Sequence, residues 1–133
     1  MPTEPDQKYV AVVTPLGELH GRDAIFLDEV IVSRNVLTLR GEFNGGLLSR
    51  PQEGFIRYTL AFNGLVAFSM TELDACSEFG VSSFDEILNS KWLQIRRNVR
   101  LDSLNYNGLR HFFVQTYDDV FSVVCRGYEL LLN

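Results

Sequence analysis

The chain is short of the residues that most often carry chemistry, with two histidines and two cysteines in 133 residues. Two thiols in a domain of this size make no disulfide framework. Cys76 and Cys125 are therefore expected to be reduced, as in a cytoplasmic protein. Long apolar runs are lacking too, and no segment approaches the roughly 20 residues that carry a helix across a bilayer. The polar start, Met1 to Lys8 with Pro2 and Pro5, has neither the basic nor the apolar region of a secretory signal. Positive charge is not in excess: the formal net charge is −5, which argues against a nucleic-acid surface. Motifs are equally scarce. No serine sits in Gly-x-Ser-x-Gly, Gly45-Gly46 precedes neither a P-loop lysine nor a dinucleotide fingerprint, and neither cysteine has a nucleophile signature. No cofactor is expected.

What is present describes an ordinary globular domain. Hydrophobic residues make up 46% and aromatic residues 12% of the chain, too apolar for disorder. Residues 1–133 are read as one domain, with 1–8 as a polar extension, long enough to bury roughly two-thirds of its unfolded surface.

Strand patterns dominate. Tyr9 to Thr14 reads as a strand stopped by Pro15 and Gly17, followed by β segments over Ala24 to Val32 and Val36 to Phe43. Taking Ser33-Arg34-Asn35 as the connecting loop points Ile31, Leu37, Leu39 and Phe43 the same way. Phe55 to Met70 reads as a hairpin turning at Asn63-Gly64. A left-handed Gly64 in a three-residue loop pairs Ala61 with Leu65 and gathers Tyr58, Leu60, Val66, Phe68 and Met70 on one face. Arg110 to Leu132 reads as a closing hairpin around Asp118-Asp119, pairing Tyr117 with Val120, Gln115 with Ser122 and His111 with Arg126. Phe112, Val114, Phe121, Val123 and Cys125 then lie on the core face. Gly127 marks a bend, since otherwise Glu129 would join that face.

Ser82 to Arg97 is predicted as the main helix. Ser83 and Glu86 have capping-box spacing, and Phe84, Ile87, Leu88, Trp92 and Ile95 follow a helical stripe. Leu101 to Gly108 would return the chain to the last hairpin. The predicted fold is α+β: a curved, mostly antiparallel sheet of about seven strands with one helix packed on it, a partly closed barrel being the variant.

Candidate functional residues are few. Glu18, His20 and Asp23 could share a metal, but their glycine-rich, polar segment reads as a loop and no second cluster exists, so no metal site is expected. Asp118-Asp119 suits a turn better than a hard-cation loop. His111, with Gln115, Tyr117 and Arg126, would line a mixed sheet face able to hold a small ligand or to contact a partner. Charge is segregated: Glu72, Asp74, Glu78, Asp85 and Glu86 occur without an intervening base, then Lys91, Arg96, Arg97, Arg100 and Arg110 follow. Glu72, Asp74 and Glu78 are the acidic candidates for a partner-binding surface.

The early β meander, the Ser82 to Trp92 segment and the terminal block His111-Phe112-Phe113-Val114-Gln115-Thr116-Tyr117-Asp118-Asp119-Val120-Phe121 together resemble small bacterial α+β proteins, many of them toxin-immunity proteins. That resemblance implies a cytoplasmic, noncatalytic protein that binds another protein, its acidity suited to a basic toxin. A small-molecule-binding or enzymatic domain centred on His111, Tyr117 and Arg126 is the competing expectation. A homodimer through an exposed sheet edge is the third.

Overall fold

The computed structural model describes residues 6–98 and 108–132. It is mostly β, with nine strands in two antiparallel sheets and one short helix, which overturns the expected α+β fold with a main helix. The first sheet has the order β1 (Lys8–Ala11), β6 (Phe84–Leu88), β7 (Arg110–Gln115), β8 (Asp119–Cys125), β5 (Ala67–Glu72). The second has the order β2 (Ile25–Ser33), β3 (Val36–Asn44), β4 (Phe55–Asn63), β9 (Gly127–Leu132). Their inner faces share one core. Leu37, Leu39, Phe43, Tyr58, Leu60 and Phe62 of the second sheet meet Phe84, Phe112, Val114, Phe121 and Val123 of the first. The rings interlock: Tyr128 packs edge-on against both Phe84 and Phe112 with centroids 5.2 Å away, and Phe62 lies 6.2 Å from Phe84. Each such fully buried side chain contributes about 1.5 to 3 kcal/mol.

The predicted helix fails in its first half. Phe84–Leu88 is a strand held on both sides, Tyr9 pairing with Ile87 and Phe84 with Val114. Ser83 is no cap: its hydroxyl donates to Gly21 O at 2.7 Å, its N–H to Leu19 O, and its carbonyl accepts from Gln115. The true cap is Ser90, whose Oγ accepts the Leu93 N–H at 3.3 Å and whose carbonyl starts the helix α1 (Lys91–Asn98). Asn89, at φ 53°, makes the break between strand and helix. Phe84 and Ile87 are buried as expected, on opposite faces of a strand, whereas Leu88 and Ile95 are exposed and Trp92 is half-buried beside Leu93, Leu109 and Val124. Tertiary pairing has overridden a helical period that five residues shared by chance.

All three expected hairpins are also corrected, the closing one in its register and loop. Residues 55–70 do not pair with each other. At Gly64, which does take a positive φ of 63°, the chain leaves the second sheet and enters the first, so β4 pairs with β9 and β5 with β8. The neighbouring chain bends at the same place, Cys125 ending β8 and Gly127 beginning β9. The bend expected at Gly127 is therefore real, and it turns Tyr128 inward and leaves Glu129 exposed. The hairpin of β2 and β3 turns on two residues, Arg34 and Asn35, both at positive φ, rather than three. That one-residue slip puts Val30 and Val32, not Ile31, on the side of Leu39 and Leu37. A bulge between Leu27 and Glu29 restores the other register, so Ile25 faces Phe43 in the core.

Residues 1–5 of the polar extension and most of the expected Leu101 to Gly108 return lie outside the described residues, as do Arg100 and the side chains of Arg96 and Arg97.

Candidate functional site

The β7 and β8 pairing positions the candidate site. His111 faces Val124 and Phe113 faces Ser122, a register two residues from the expected one, so Arg126 does not stand opposite His111. A shift of two preserves the faces: Phe112, Val114, Phe121 and Val123 are inward, while His111, Phe113 and Ser122 are on the outer face of the first sheet. The loop is longer than expected because tertiary bonds hold it. Tyr117 N–H donates to Ile25 O, Arg22 Nε donates to Tyr117 O, and the Tyr117 ring stacks on Phe26 with centroids 5.4 Å apart.

On that outer face Phe113, Ser122 and Ser69 form one cross-strand row, and His111, Val124 and Ala67 the next. His111 is 6% exposed and held at both nitrogens, with Nδ1 2.6 Å from Ser90 Oγ and Nε2 2.6 Å from Ser122 Oγ. Burial lowers its pKa to about 4, against the opposing pull of the Glu78 charge. The ring is thus neutral at pH 7, one nitrogen donating and the other accepting. Ser90 Oγ also accepts from Leu93 N–H, which ties the ring to the start of the helix. The neutral ring thus bridges the two serines, giving its proton to one hydroxyl and accepting from the other. A serine nucleophile needs a stronger base than a ring whose pKa is lowered to about 4. Ser122 is thus held in place by His111 on the outer face of the first sheet.

Ser122 borders a hollow of about 240 Å³ lined also by Ser69, Thr71, Cys76, Glu78 and Phe113. Its outer wall is the segment after β5. There Glu78 Oε2 accepts the Tyr9 hydroxyl proton at 2.7 Å, and burial together with that carboxylate pushes the Tyr9 pKa upward. A second hollow, of about 190 Å³, lies over Glu86, Ser90, Arg110 and His111. Arg110 grips Glu86 in a fork, Nε to Oε2 at 2.9 Å and Nη2 to Oε1 at 2.7 Å, with its guanidinium 4.8 Å from the Phe112 ring centroid.

The charge blocks of the sequence are reorganised. Asp85 is fully buried, its carboxylate accepting from the N–H groups of Val81 and Ser82 and from the Ser82 hydroxyl, and Glu86 pairs with Arg110. Glu72 and Asp74 remain exposed, and the fold brings them to Asp118 and Asp119: Glu72 pairs in register with Asp119, and Leu73 N–H donates to Asp118 O at 2.8 Å. Sequence reading assigned those two aspartates to a turn and missed this grouping. Glu78 stands apart at the hollow. Gln115, half-buried opposite Val120, shares the outer face with His111, whereas Tyr117 is in the loop and Arg126 lies against Gly64 at the bend. The expected constellation of His111, Tyr117 and Arg126 is therefore not assembled. His111's partner Ser90 was missed because the helix start was placed at Ser83; the Asn89-Ser90 pair, followed by Leu93, was the available signal.

His20 Nε2 lies 3.1 Å from Glu18 Oε1 at the surface, and among the described residues no three His, Cys, Asp or Glu side chains converge to hold a metal. No described helix is long and apolar enough to cross a membrane. Compared with family models, curated proteins and solved structures, the chain has no significant match.

Proposed function

We propose that this protein is a noncatalytic binding domain that acts by covering another protein, in the manner of an immunity protein blocking a basic toxin, and that it works in the cytoplasm. The observation that carries the reading is the acidic group formed by Glu72, Asp74, Asp118 and Asp119 where β5 ends and β8 begins. Such a group attracts a basic partner over a Debye length and orients its approach. The unbonded thiols of Cys76 and Cys125 suit a reducing compartment.

The test reverses Glu72, Asp74 and Asp118 to lysine together. Glu78 is spared because its carboxylate holds Tyr9. A partner captured by the native protein should associate at least tenfold more slowly with the variant, and the dependence of the association rate on salt should flatten. An unchanged salt dependence in a variant whose circular dichroism is native removes this surface from the reading.

The hollow beside Ser122 supports a second reading, a site for a small polar ligand. Its lining of hydroxyls with the Glu78 carboxylate favours a neutral or cationic molecule over an anion.

A further inference from the structure

The half of β2 that follows its bulge is the most exposed strand segment among the described residues. Six consecutive residues, Asp28–Ser33, are exposed, and three of them are β-branched and apolar: Val30 (40%), Ile31 (39%) and Val32 (53%). Among the described residues β2 is an edge strand whose only strand partner is β3, and past the bulge its other side turns backbone groups outward. Edge strands are normally guarded by charge, proline or a bulge. Here the bulge and the acidic residues Asp28 and Glu29 guard one end, and Val30 to Val32 have no such protection.

The turn geometry says which groups face outward. Arg34 and Asn35, both at positive φ, form a two-residue turn of the primed type, in which the flanking pair Ser33 and Val36 exchange hydrogen bonds. Alternation along the ladder then turns the N–H and C=O of Ile31 toward β3 and those of Val30 and Val32 toward the open side.

We propose that this edge pairs with the same edge of a second copy of the chain, antiparallel and centred on Ile31. In that register Val30 exchanges both backbone hydrogen bonds with the partner's Val32, and Val32 with the partner's Val30. Ile31 stands directly opposite the partner's Ile31 as a non-hydrogen-bonded pair. Charge selects this register. It brings Asp28 at the bulge toward the partner's Arg34 in the turn, whereas sliding the strands to centre on Asp28 or on Glu29 would set that acid against its own copy. The two four-stranded sheets become one continuous eight-stranded sheet across a twofold axis. This pairing is independent of the acidic surface at the end of β5 and leaves it open.

Sedimentation velocity over a concentration series tests it. The native chain should rise from 15.2 kDa toward twice that mass with increasing concentration. Ile31→Lys, at a position already exposed and so harmless to the monomer fold, should remain at 15.2 kDa throughout. A directly opposed non-hydrogen-bonded pair has Cα atoms about 4.5 Å apart, within disulfide reach. In a Cys76→Ser background, oxidised Ile31→Cys should therefore form a covalent dimer, and Ser33→Cys, four positions from its own copy's alignment, should not. A native chain that stays at monomer mass at every concentration, a dimer that survives Ile31→Lys, or Ser33→Cys cross-linking as readily as Ile31→Cys would each overturn the proposal.

Discussion

Gly64 lies directly against the side chain of Arg126: a methyl group added at Gly64 would stand 2.8 Å from Arg126 Cγ and 2.9 Å from its Cβ. The contact joins the two points at which neighbouring strands leave one sheet for the other, and Arg126 N–H closes it by donating to Asn63 O at 2.9 Å. Because φ at Gly64 is +63°, a side chain there meets both backbone strain and the Arg126 stem. Gly64→Ala should cost roughly 1 to 3 kcal/mol in urea denaturation. A loss under about 0.5 kcal/mol would show that the corner has slack and does not fix the angle between the sheets.

Phe84 and Ile95 separate the strand from the helix that the sequence suggested. On a common helical stripe both would be core residues; in the structure Phe84 is 1% exposed between the sheets and Ile95 is 55% exposed. Phe84→Ala should lose about 3 to 5 kcal/mol, and Ile95→Ala less than about 0.5 kcal/mol. Equal losses from the two variants would restore the helical reading.

What the sequence made legible was mostly local. Strand faces were readable where alternation and register agree, so Phe112, Val114, Phe121, Val123, Tyr58 and Leu60 were placed inward correctly, whereas the slip at the β2–β3 turn misplaced Ile31. The corner at Gly64 looked like a hairpin because a glycine at positive φ serves either a tight turn or a change of sheet, and only the partner strand decides. The segment from Ser82 to Leu88 looked helical because Phe84 and Ile87 are three apart. In the strand they face opposite ways, toward two different hydrophobic clusters that are assembled from distant segments. The same limit applies to the site. His111 was legible as a candidate on the outer face, but its hydrogen-bond partner Ser90 arrives from a helix cap 21 residues away.

Asp85 locks the approach to β6. With the Ser82 hydroxyl and two N–H groups bound to its carboxylate, replacement by alanine leaves the Ser82 donors unmatched in a buried place and the Val81 N–H unmatched at its edge. Asp85→Ala should cost roughly 1 to 3 kcal/mol. Gly80→Ala should be damaging for the same reason, since its new methyl would fall 1.9 Å from Asp85 Oδ2. The check is hydrogen exchange at Val81 and Ser82: amides that remain as protected in Asp85→Ala as in the native protein would remove the carboxylate from this role.

The two thiols should differ in reactivity. Cys125 is fully buried, and burial pushes its pKa up to about 11, so little thiolate exists at neutral pH. Cys76 is half-buried at the rim of the larger hollow. A thiol reagent added to native protein should label Cys76 and reach Cys125 only on unfolding. Two thiols modified at one common rate without denaturant would contradict the burial of Cys125.

His111 makes the protein's stability depend on pH with a definite sign. Its pKa falls from an ordinary 6.5 to about 4 in the folded state, because burial between Ser90 and Ser122 disfavours the imidazolium. Above pH 6.5 the ring is neutral in both states, and its contribution to stability is complete. As the pH drops below 6.5, the unfolded chain binds a proton that the folded protein refuses until about pH 4, so stability is lost across that interval and this group adds no further loss below it. The full loss is about 3 kcal/mol. Carboxylates titrate in the lower part of the same range, so the measurement is a difference: urea denaturation of native protein and His111→Gln at half-unit pH steps. The variant should be the less stable at pH 7, with an unmatched Ser90 or Ser122 hydroxyl, and the gap between the two proteins should narrow steadily between pH 6.5 and 4. Parallel profiles would mean that His111 protonates as easily folded as unfolded, and that its two serine contacts open freely to admit the charge.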